Sequence, residues 1–339
     1  MLLSSGGAVC RKGLAVGLFS GRCQRQIVLL LTIWMLYLVS GTIHAQTARV
    51  MTWNILASEY TDTNGGSPAD RYSIYPSWQN RLGFITKVID RASPDIIAFQ
   101  EDMDNQYRDL KQIYRLIYSS VVFSKDQSKT YAGNGSRGAI FFNKTKFRIV
   151  NSGVFDISNG LNVTWLRLAD RHDPTQRVIV FNVHLHSSNV LSQAEQLAYE
   201  IWSRAGSDAV VVLGDFNANL SSQAVRLLNN DKGQFPAVHY HTLHQALANK
   251  TINTTYSFKG DDQQPIVRNA VIPTVENIFY RYATFAPENY IRWTAFDPTM
   301  PNCTVCSASD HHAITADIRY TRVNNMTAIS AIAALLLSN

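Results

Sequence analysis

The spacing of apolar residues along the chain changes repeatedly between the periods of a helix and of a strand. In residues 78–92 apolar side chains recur every three or four positions, which predicts a helix that Ser93-Pro94 ends. Residues 178–181 and 210–213 are apolar at every position, as in strands that are covered on both faces. These patterns predict an α/β protein with buried central strands.

The same reasoning predicts further elements through most of the chain. Strands are predicted at 48–56, 95–99, 139–143, 147–155, 163–168, 178–184, 209–213, 275–280 and 313–320, and helices at 78–92, 107–117, 190–204 and 221–229. No linker rich in Pro, Gly or Ser divides residues 47–322. We therefore expect one α/β domain in this range, in which two stacked sheets are flanked by helices.

Residues 1–46 have the composition of a targeting segment. They contain four basic residues and no Asp or Glu, and an apolar run at 27–39 is followed by Ser40-Gly41-Thr42-Ile43-His44-Ala45, which offers small residues for a cleavage site. This pattern predicts either a cleaved signal peptide or an uncleaved signal anchor, and hence a protein that is secreted or located at the cell surface or in an endomembrane lumen. The leader also explains much of the formal charge of +6, so bulk charge barely favours a polyanionic partner.

Eight Asn-x-Ser/Thr sequons agree with an exported glycoprotein. They are at Asn134, Asn143, Asn162, Asn219, Asn249, Asn253, Asn302 and Asn325. Residues 323–339 form an apolar C-terminal tail, which is either a lipid-anchor signal or a frayed or packed terminal segment. Membrane association would follow from an uncleaved N-terminal anchor or from a lipid anchor at this tail.

Only two cysteines lie outside the leader, Cys303 and Cys306. Their spacing is that of half a zinc site, but no second Cys pair completes four ligands. In an exported chain a local disulfide between them is the favoured interpretation.

Five short motifs stand at or near the ends of apolar runs. They are Trp53-Asn54, Gln100-Glu101, His184, Gly214-Asp215-Phe216-Asn217 and Ser309-Asp310-His311. Together they supply carboxylates, amides and imidazoles, which are the groups needed for metal-assisted hydrolysis of a phosphate ester.

In their order and composition these motifs resemble those of the endonuclease/exonuclease/phosphatase superfamily, over about residues 48–320. The strings around Asn54, Trp78 and Glu195 are similar to its deadenylase-like branch. The resemblance implies a four-layer α/β sandwich with two packed, mainly antiparallel sheets flanked by helices. It also implies Mg²⁺-dependent cleavage of a phosphate ester, with Mn²⁺ as a substitute.

The resemblance also implies roles for individual residues. Glu101 would be the principal metal ligand, and Asn54 would help to hold metal and phosphate. His184 would contact the scissile phosphate, and Asp310 would orient His311. The remaining implied catalytic residues are Asp215 and Asn217, with Asp215 and His311 both candidates for the general base. At Glu276, a possible supporting residue, the family often has Asp.

These inferences predict a metal-dependent phosphodiesterase that is secreted or membrane-anchored, with nucleic acid as the leading substrate. One alternative is a sphingomyelinase-type enzyme acting on a phospholipid or sphingolipid, for which residues 285–293 would supply an exposed apolar loop. The other is a catalytically weak, exported binding glycoprotein. The sequence leaves open exo or endo cleavage and the oligomeric state.

Overall fold

The computed structural model describes the following residues: 46–62, 75–122, 138–157, 161–218, 222–228, 241–242, 255–256, 276–281, 283–293, 295, 297, 299–301 and 306–320. The chain divides into one unit of Met1–His44 and a second of Ala45–Asn339, and all described residues belong to the second. The predicted leader (except Gln46), the C-terminal tail, Cys303 and six sequons lie outside the described residues. These sequons are at Asn134, Asn219, Asn249, Asn253, Asn302 and Asn325.

Thirteen described strands form two mixed sheets, in which antiparallel pairs outnumber parallel ones. The strands are β1 (Gln46–Asn54), β2 (Ile96–Gln100), β3 (Tyr118–Val121), β4 (Ile140–Asn143), β5 (Phe147–Ile157), β6 (Leu161–Asp170), β7 (Arg177–His184), β8 (Ala209–Asp215), β9 (His241–Thr242), β10 (Thr255–Tyr256), β11 (Glu276–Arg281), β12 (Ala283–Trp293) and β13 (Ala313–Tyr320). The first sheet has the order β10-β12-β13-β1-β2-β4-β3, and the second has the order β5-β6-β7-β8-β11-β9.

The described helices are α1 (Ser58–Thr61), α2 (Trp78–Ala92), α3 (Asp104–Tyr114), α4 (Val190–Ala205) and α5 (Gln223–Leu228). Their apolar faces divide between the two sheets. Helices α2 and α3 pack on the first sheet through residues such as Ile85 and Leu110. Helices α4 and α5 pack on the second through residues such as Leu197 and Val225. Each sheet therefore has one helical layer on its outer face.

The core consists of three apolar layers, which explains why the central strands are apolar on both sides. Between the sheets, Val50 and Ile96 pack in the same cluster as Val180 and Val211. Met51, the next residue of β1, points to the other face and joins the cluster beneath α2 and α3, because successive side chains of a strand alternate. The arrangement is helix, sheet, sheet, helix, so the predicted four-layer sandwich is confirmed.

Most predicted elements are present within a few residues of their expected ends. One prediction is wrong: residues 285–293 are not an exposed loop but most of β12, which pairs antiparallel with β13. Trp293 is buried, and its indole nitrogen donates to Thr315 Oγ1 at 3.0 Å. The feature that favoured lipid binding is therefore part of a hydrogen-bonded sheet. The predicted helix at 107–117 also lies three residues earlier, because Tyr118 begins β3.

Three further findings concern export features. Cys306 is disulfide-bonded, and its predicted partner Cys303 lies outside the described residues. Asn143 and Asn162 are half-buried strand residues, and the side-chain oxygen of Asn143 accepts from the Thr145 backbone N–H at 3.0 Å. Within the described part of the chain, no helix is long and apolar enough to cross a membrane.

Candidate active site

Strand direction brings the five motifs to one edge of the paired sheets. β1 and β2 are parallel, with Asn54 opposite Gln100, so both strands end at the same edge of the first sheet. In the second sheet β7 and β8 are parallel, with His184 opposite Asp215. β13 runs antiparallel to β1, so the motif that precedes Ala313 lies at this edge as well.

Asn54 is the fully buried centre of the site. Its amide nitrogen donates to Glu101 Oε1 at 3.0 Å and to Asp215 Oδ2 at 3.1 Å. Its oxygen accepts from the Leu56 backbone N–H at 3.1 Å, which fixes the orientation of the amide. In this orientation Asn54 donates to two carboxylates, and its oxygen is occupied by the Leu56 N–H. It would therefore support a bound metal indirectly, by holding Glu101.

Glu101 lies just beyond β2 in a left-handed backbone conformation, with φ of 58°. Its second oxygen accepts from the Ala57 backbone N–H at 3.1 Å. Leu56 and Asn217 have φ of 56° and 45°, so three of the four described non-glycine residues with positive φ are at this edge. Such conformations cost about 1–3 kcal/mol each and persist where the surroundings enforce them.

Two imidazoles face the buried carboxylate of Asp215, whose side chain is only 1% exposed. His184 Nε2 and His311 Nε2 each lie 3.7 Å from Asp215 Oδ2. His184 Nε2 is also 4.0 Å from Glu101 Oε1. Both rings are partly exposed, at 31% and 19%, so a ligand can reach them.

The pKa of Asp215 reflects two opposing effects. Burial raises the pKa of this carboxyl, but the neighbouring His184 and His311 lower it, as do hydrogen bonds from the Asn217 backbone N–H and the Asn54 amide. The net result is a pKa below the ordinary value for Asp. Asp215 is therefore an anion at neutral pH, ready to accept a hydrogen bond.

The last motif is tied directly to the first. Ser309 Oγ donates to the Asn54 backbone oxygen at 2.7 Å and accepts from the His311 backbone N–H at 3.1 Å. Asp310 Oδ2 lies 3.8 Å from His311 Nε2, the same nitrogen that faces Asp215. Burial raises the pKa of Asp310, His311 opposes this effect, and Glu101 and Asp215 add to it.

Two members of the fourth motif support the site through the backbone. The Asn217 side-chain amide donates to the Leu185 backbone oxygen at 2.7 Å, which ties the end of β8 to the end of β7. Gly214 lies against β7 so closely that an added Cβ would be 2.0 Å from the Val183 oxygen. In the backbone ladder Glu276 of β11 pairs with Asp215.

The sequence assigned no role to several polar residues that build the floor of the site. Gln100 Nε2 donates to Asn182 Oδ1 at 2.7 Å and so joins the two sheets. The Asn182 amide also donates to the Phe99 and Ala139 oxygens. Arg81 is completely buried beside the first motif. The sequence signal for such residues is an amide or guanidinium side chain within an apolar run. This signal does not identify the hydrogen-bond partner.

The donors present suit a hard divalent cation. Glu101 and Asp215 place carboxylate oxygens against one amide nitrogen, and Glu101 is 15% exposed, so a cation can reach it. Among the described residues, no group of three or more His, Cys, Asp or Glu side chains is arranged to hold a metal ion. Mg²⁺ does not require such a group, because it retains several waters and binds through one or two carboxylates.

Comparison with known proteins agrees with this geometry. The sequence profile of the endonuclease/exonuclease/phosphatase family matches residues 51–311. The chain belongs to this family. The match spans all five motifs, from Trp53 to His311. None of the curated proteins matches the chain significantly.

Solved structures share the fold. An endonuclease/exonuclease/phosphatase from Bacteroides vulgatus is 19% identical, with a TM-score of 0.58, and the match covers 81% of this chain and 99% of that one. ANGEL2, a 2',3'-cyclic phosphatase in complex with adenosine-2',3'-vanadate, is 18% identical, with a TM-score of 0.57 and coverage of 82% and 97%. D. rerio TDP2 complexed with single-strand DNA product is 14% identical, with a TM-score of 0.55 and coverage of 81% and 99%.

Proposed function

We propose that this family member is a divalent-metal-dependent phosphodiesterase. The observation that carries the proposal is the convergence of Glu101, Asp215, His184 and His311 around the buried amide of Asn54. A fold can serve many functions, so the assignment depends on this geometry and not on the family alone.

Glu101 would hold the cation, and Asn54 together with the Ala57 N–H holds the carboxylate in place. A bound Mg²⁺ or Mn²⁺ would supply positive charge that polarises a phosphoryl oxygen. The two imidazoles, His184 and His311, are the side chains that hydrogen-bond the phosphate oxygens as negative charge develops.

In this proposal Asp215 and His311 are the two candidates to take a proton from the attacking water. Asp215 is ionised and lies against both imidazoles, so it also orients them. Asp310 adds negative charge beside His311 and stabilises the ring when it is protonated. Asn217 holds the ends of β7 and β8 together. It would contribute to the reaction by positioning the residues at these strand ends.

We propose a nucleic acid or nucleotide phosphodiester as the substrate. Support comes from the relatives crystallised with a single-strand DNA product and with adenosine-2',3'-vanadate. The lipid alternative relied on an exposed apolar loop at residues 285–293, and these residues belong to strand β12. Export stays a proposal that rests on the composition of residues 1–46 and on the sequons.

The test is an activity screen of the purified full chain against single- and double-stranded DNA, RNA, sphingomyelin and a bis-aryl phosphodiester. Each substrate is assayed with Mg²⁺, with Mn²⁺ and with a chelator. We expect metal-dependent cleavage of a nucleic acid that the chelator abolishes. Cleavage of sphingomyelin alone would transfer the assignment to the lipid class, and metal binding without cleavage of any substrate would favour the binding glycoprotein.

A further inference from the structure

Arg81 of α2 is a buried cation whose hydrogen bonds to the described residues all go to neutral oxygens. One terminal nitrogen donates to the Ile55 oxygen at 2.6 Å and to the Ala308 oxygen at 2.8 Å. The other donates to the Leu56 oxygen at 3.0 Å and to Thr61 Oγ1 at 3.1 Å. The residue is 0% exposed.

These acceptors belong to two separate parts of the active site. Ile55 and Leu56 follow Asn54 in the first motif, whereas Ala308 precedes the last motif and is more than 200 residues away in sequence. One planar guanidinium thus joins the two loops, a geometry that suits its rigid fork of donors.

We call the hydrogen bonds from Arg81 to these two loops the Arg81 clamp. The clamp affects Glu101 through the Leu56 carbonyl. It accepts from Arg81 and also from Gln106 Nε2 at 3.0 Å. Leu56 itself is in the left-handed conformation, with φ of 56°, and the next residue, Ala57, donates its N–H to Glu101 Oε2. Two buried donors on one carbonyl can hold a turn that a leucine would otherwise avoid.

A purely structural role would not require a charged residue here. Burial lowers the pKa of Arg81 to about 10, and the carboxylates of Asp62, Asp310 and Glu101 oppose that change. Burying a guanidinium is costly even when it is hydrogen-bonded, and an apolar residue of similar volume would avoid that cost. The carboxylates that favour its charge include those at Glu101 and Asp310, which both belong to the site.

We propose that Arg81 is a positioning residue that holds Glu101 through the Leu56 turn and the Asp310-His311 loop through Ala308. The inference deepens the proposed function and rests on it in assigning the cation to Glu101. Arg81 contacts neither metal nor substrate. It acts on metal binding and turnover by fixing the carboxylate and imidazole that do.

The experiment compares the full chain with Arg81→Lys, which keeps the charge but loses the planar fork. Mn²⁺ binding is measured without substrate by electron paramagnetic resonance, alongside kcat, KM and the melting temperature. We expect Mn²⁺ binding about 10-fold weaker and kcat about 10-fold lower, as is typical when a supporting hydrogen bond to a ligand loop is lost. KM should change less than kcat.

Tyr320→Phe is the matched control for stability. Tyr320 is also fully buried and donates to Asp170, but it lies at the far end of β13. This control should lower the melting temperature and leave Mn²⁺ binding and kcat unchanged. If Arg81→Lys gives the same pattern as the control, the positioning role is overturned.

If Arg81→Lys does not fold, Gln106→Met decides, because it removes the other donor to the Leu56 oxygen while Arg81 remains. Weaker Mn²⁺ binding by this variant supports the clamp, and unchanged binding overturns it. The proposed function fails separately: a wild-type chain that binds Mn²⁺ without cleaving any phosphodiester refutes the activity, while the binding comparison still tests Arg81.

Discussion

The side-chain amide of Asn54 donates a 3.1 Å hydrogen bond to Asp215 across the gap between the two sheets. Asn54 ends β1 of the first sheet and Asp215 ends β8 of the second. Because the same nitrogen also donates to Glu101, the site depends on how the sheets are packed against each other. This dependence leads to predictions for both chemistry and stability.

Glu101→Gln should lower kcat/KM by about 100-fold, because the amide keeps the shape of the side chain but loses the charge that a hard cation requires. Raising the Mg²⁺ concentration should restore part of the activity. Steady-state assays over a metal titration measure both effects. Glu195→Gln removes the same charge from an exposed site on α4 and should have no effect. Wild-type metal dependence in Glu101→Gln would remove Glu101 from the metal site.

His311→Ala should lower turnover by about 100- to 10,000-fold while the protein stays folded, since the ring acts at the reacting phosphate or water. Asp310→Asn should also reduce turnover, because an amide cannot stabilise the protonated ring. Turnover and melting temperature are measured on each variant, with the exposed His172→Ala as control. A lower melting temperature with unchanged turnover per folded molecule would make the motif structural.

Gly214→Ala should destabilise the protein by several kcal/mol or prevent folding. An added Cβ would lie 2.0 Å from the Val183 backbone oxygen, so β7 and β8 would have to separate. Gly83→Ala is the matched control in α2, where nothing lies within 4 Å, and it should stabilise the helix by about 1 kcal/mol. Urea unfolding measures both changes. Equal stability of the two variants would contradict the close approach of the strands.

Stability should fall above about pH 10, the ordinary pKa of tyrosine. Burial and the neighbouring Asp170 raise the pKa of Tyr320. The folded phenol therefore stays neutral while the unfolded one ionises, so the stabilisation is complete below pH 10 and is lost as the pH rises further. Each such group contributes a slope of about 1.4 kcal/mol per pH unit.

Denaturant unfolding between pH 8 and 11 tests this effect. Tyr320→Phe should reduce the slope above pH 10, whereas the exposed Tyr199→Phe should not. The two variants would have the same slope if the phenol of Tyr320 were open to solvent in the folded state.

If the protein is exported as proposed, it should begin near Gln46 or Thr47, or else keep an intact N-terminal anchor, because the apolar run of the leader ends well before the first motif. Mass spectrometry of the secreted and membrane fractions, with and without glycosidase, distinguishes the two forms. An unglycosylated cytosolic product would refute export.

The sequence by itself determined the elements and the chemical inventory of the site. The helix at Trp78–Ala92 and the strand at Ala313–Tyr320 have the predicted ends, because periodicity and the Ser93-Pro94 stop are local signals. The motifs could be found because they stand where apolar strands end, and parallel strands end at a common edge.

Tertiary structure alone decided which side chains meet and in which orientation. Gln100 and Asn182 are 82 residues apart and bond only because the two sheets stack face to face. Residues 285–286 and 291–293 pair with β13, although the composition of 285–293 also suits an exposed loop. Asn54 presents nitrogen to the carboxylates because its oxygen is taken by the Leu56 N–H. Contacts of this kind depend on sheet packing, which no local pattern in the chain encodes.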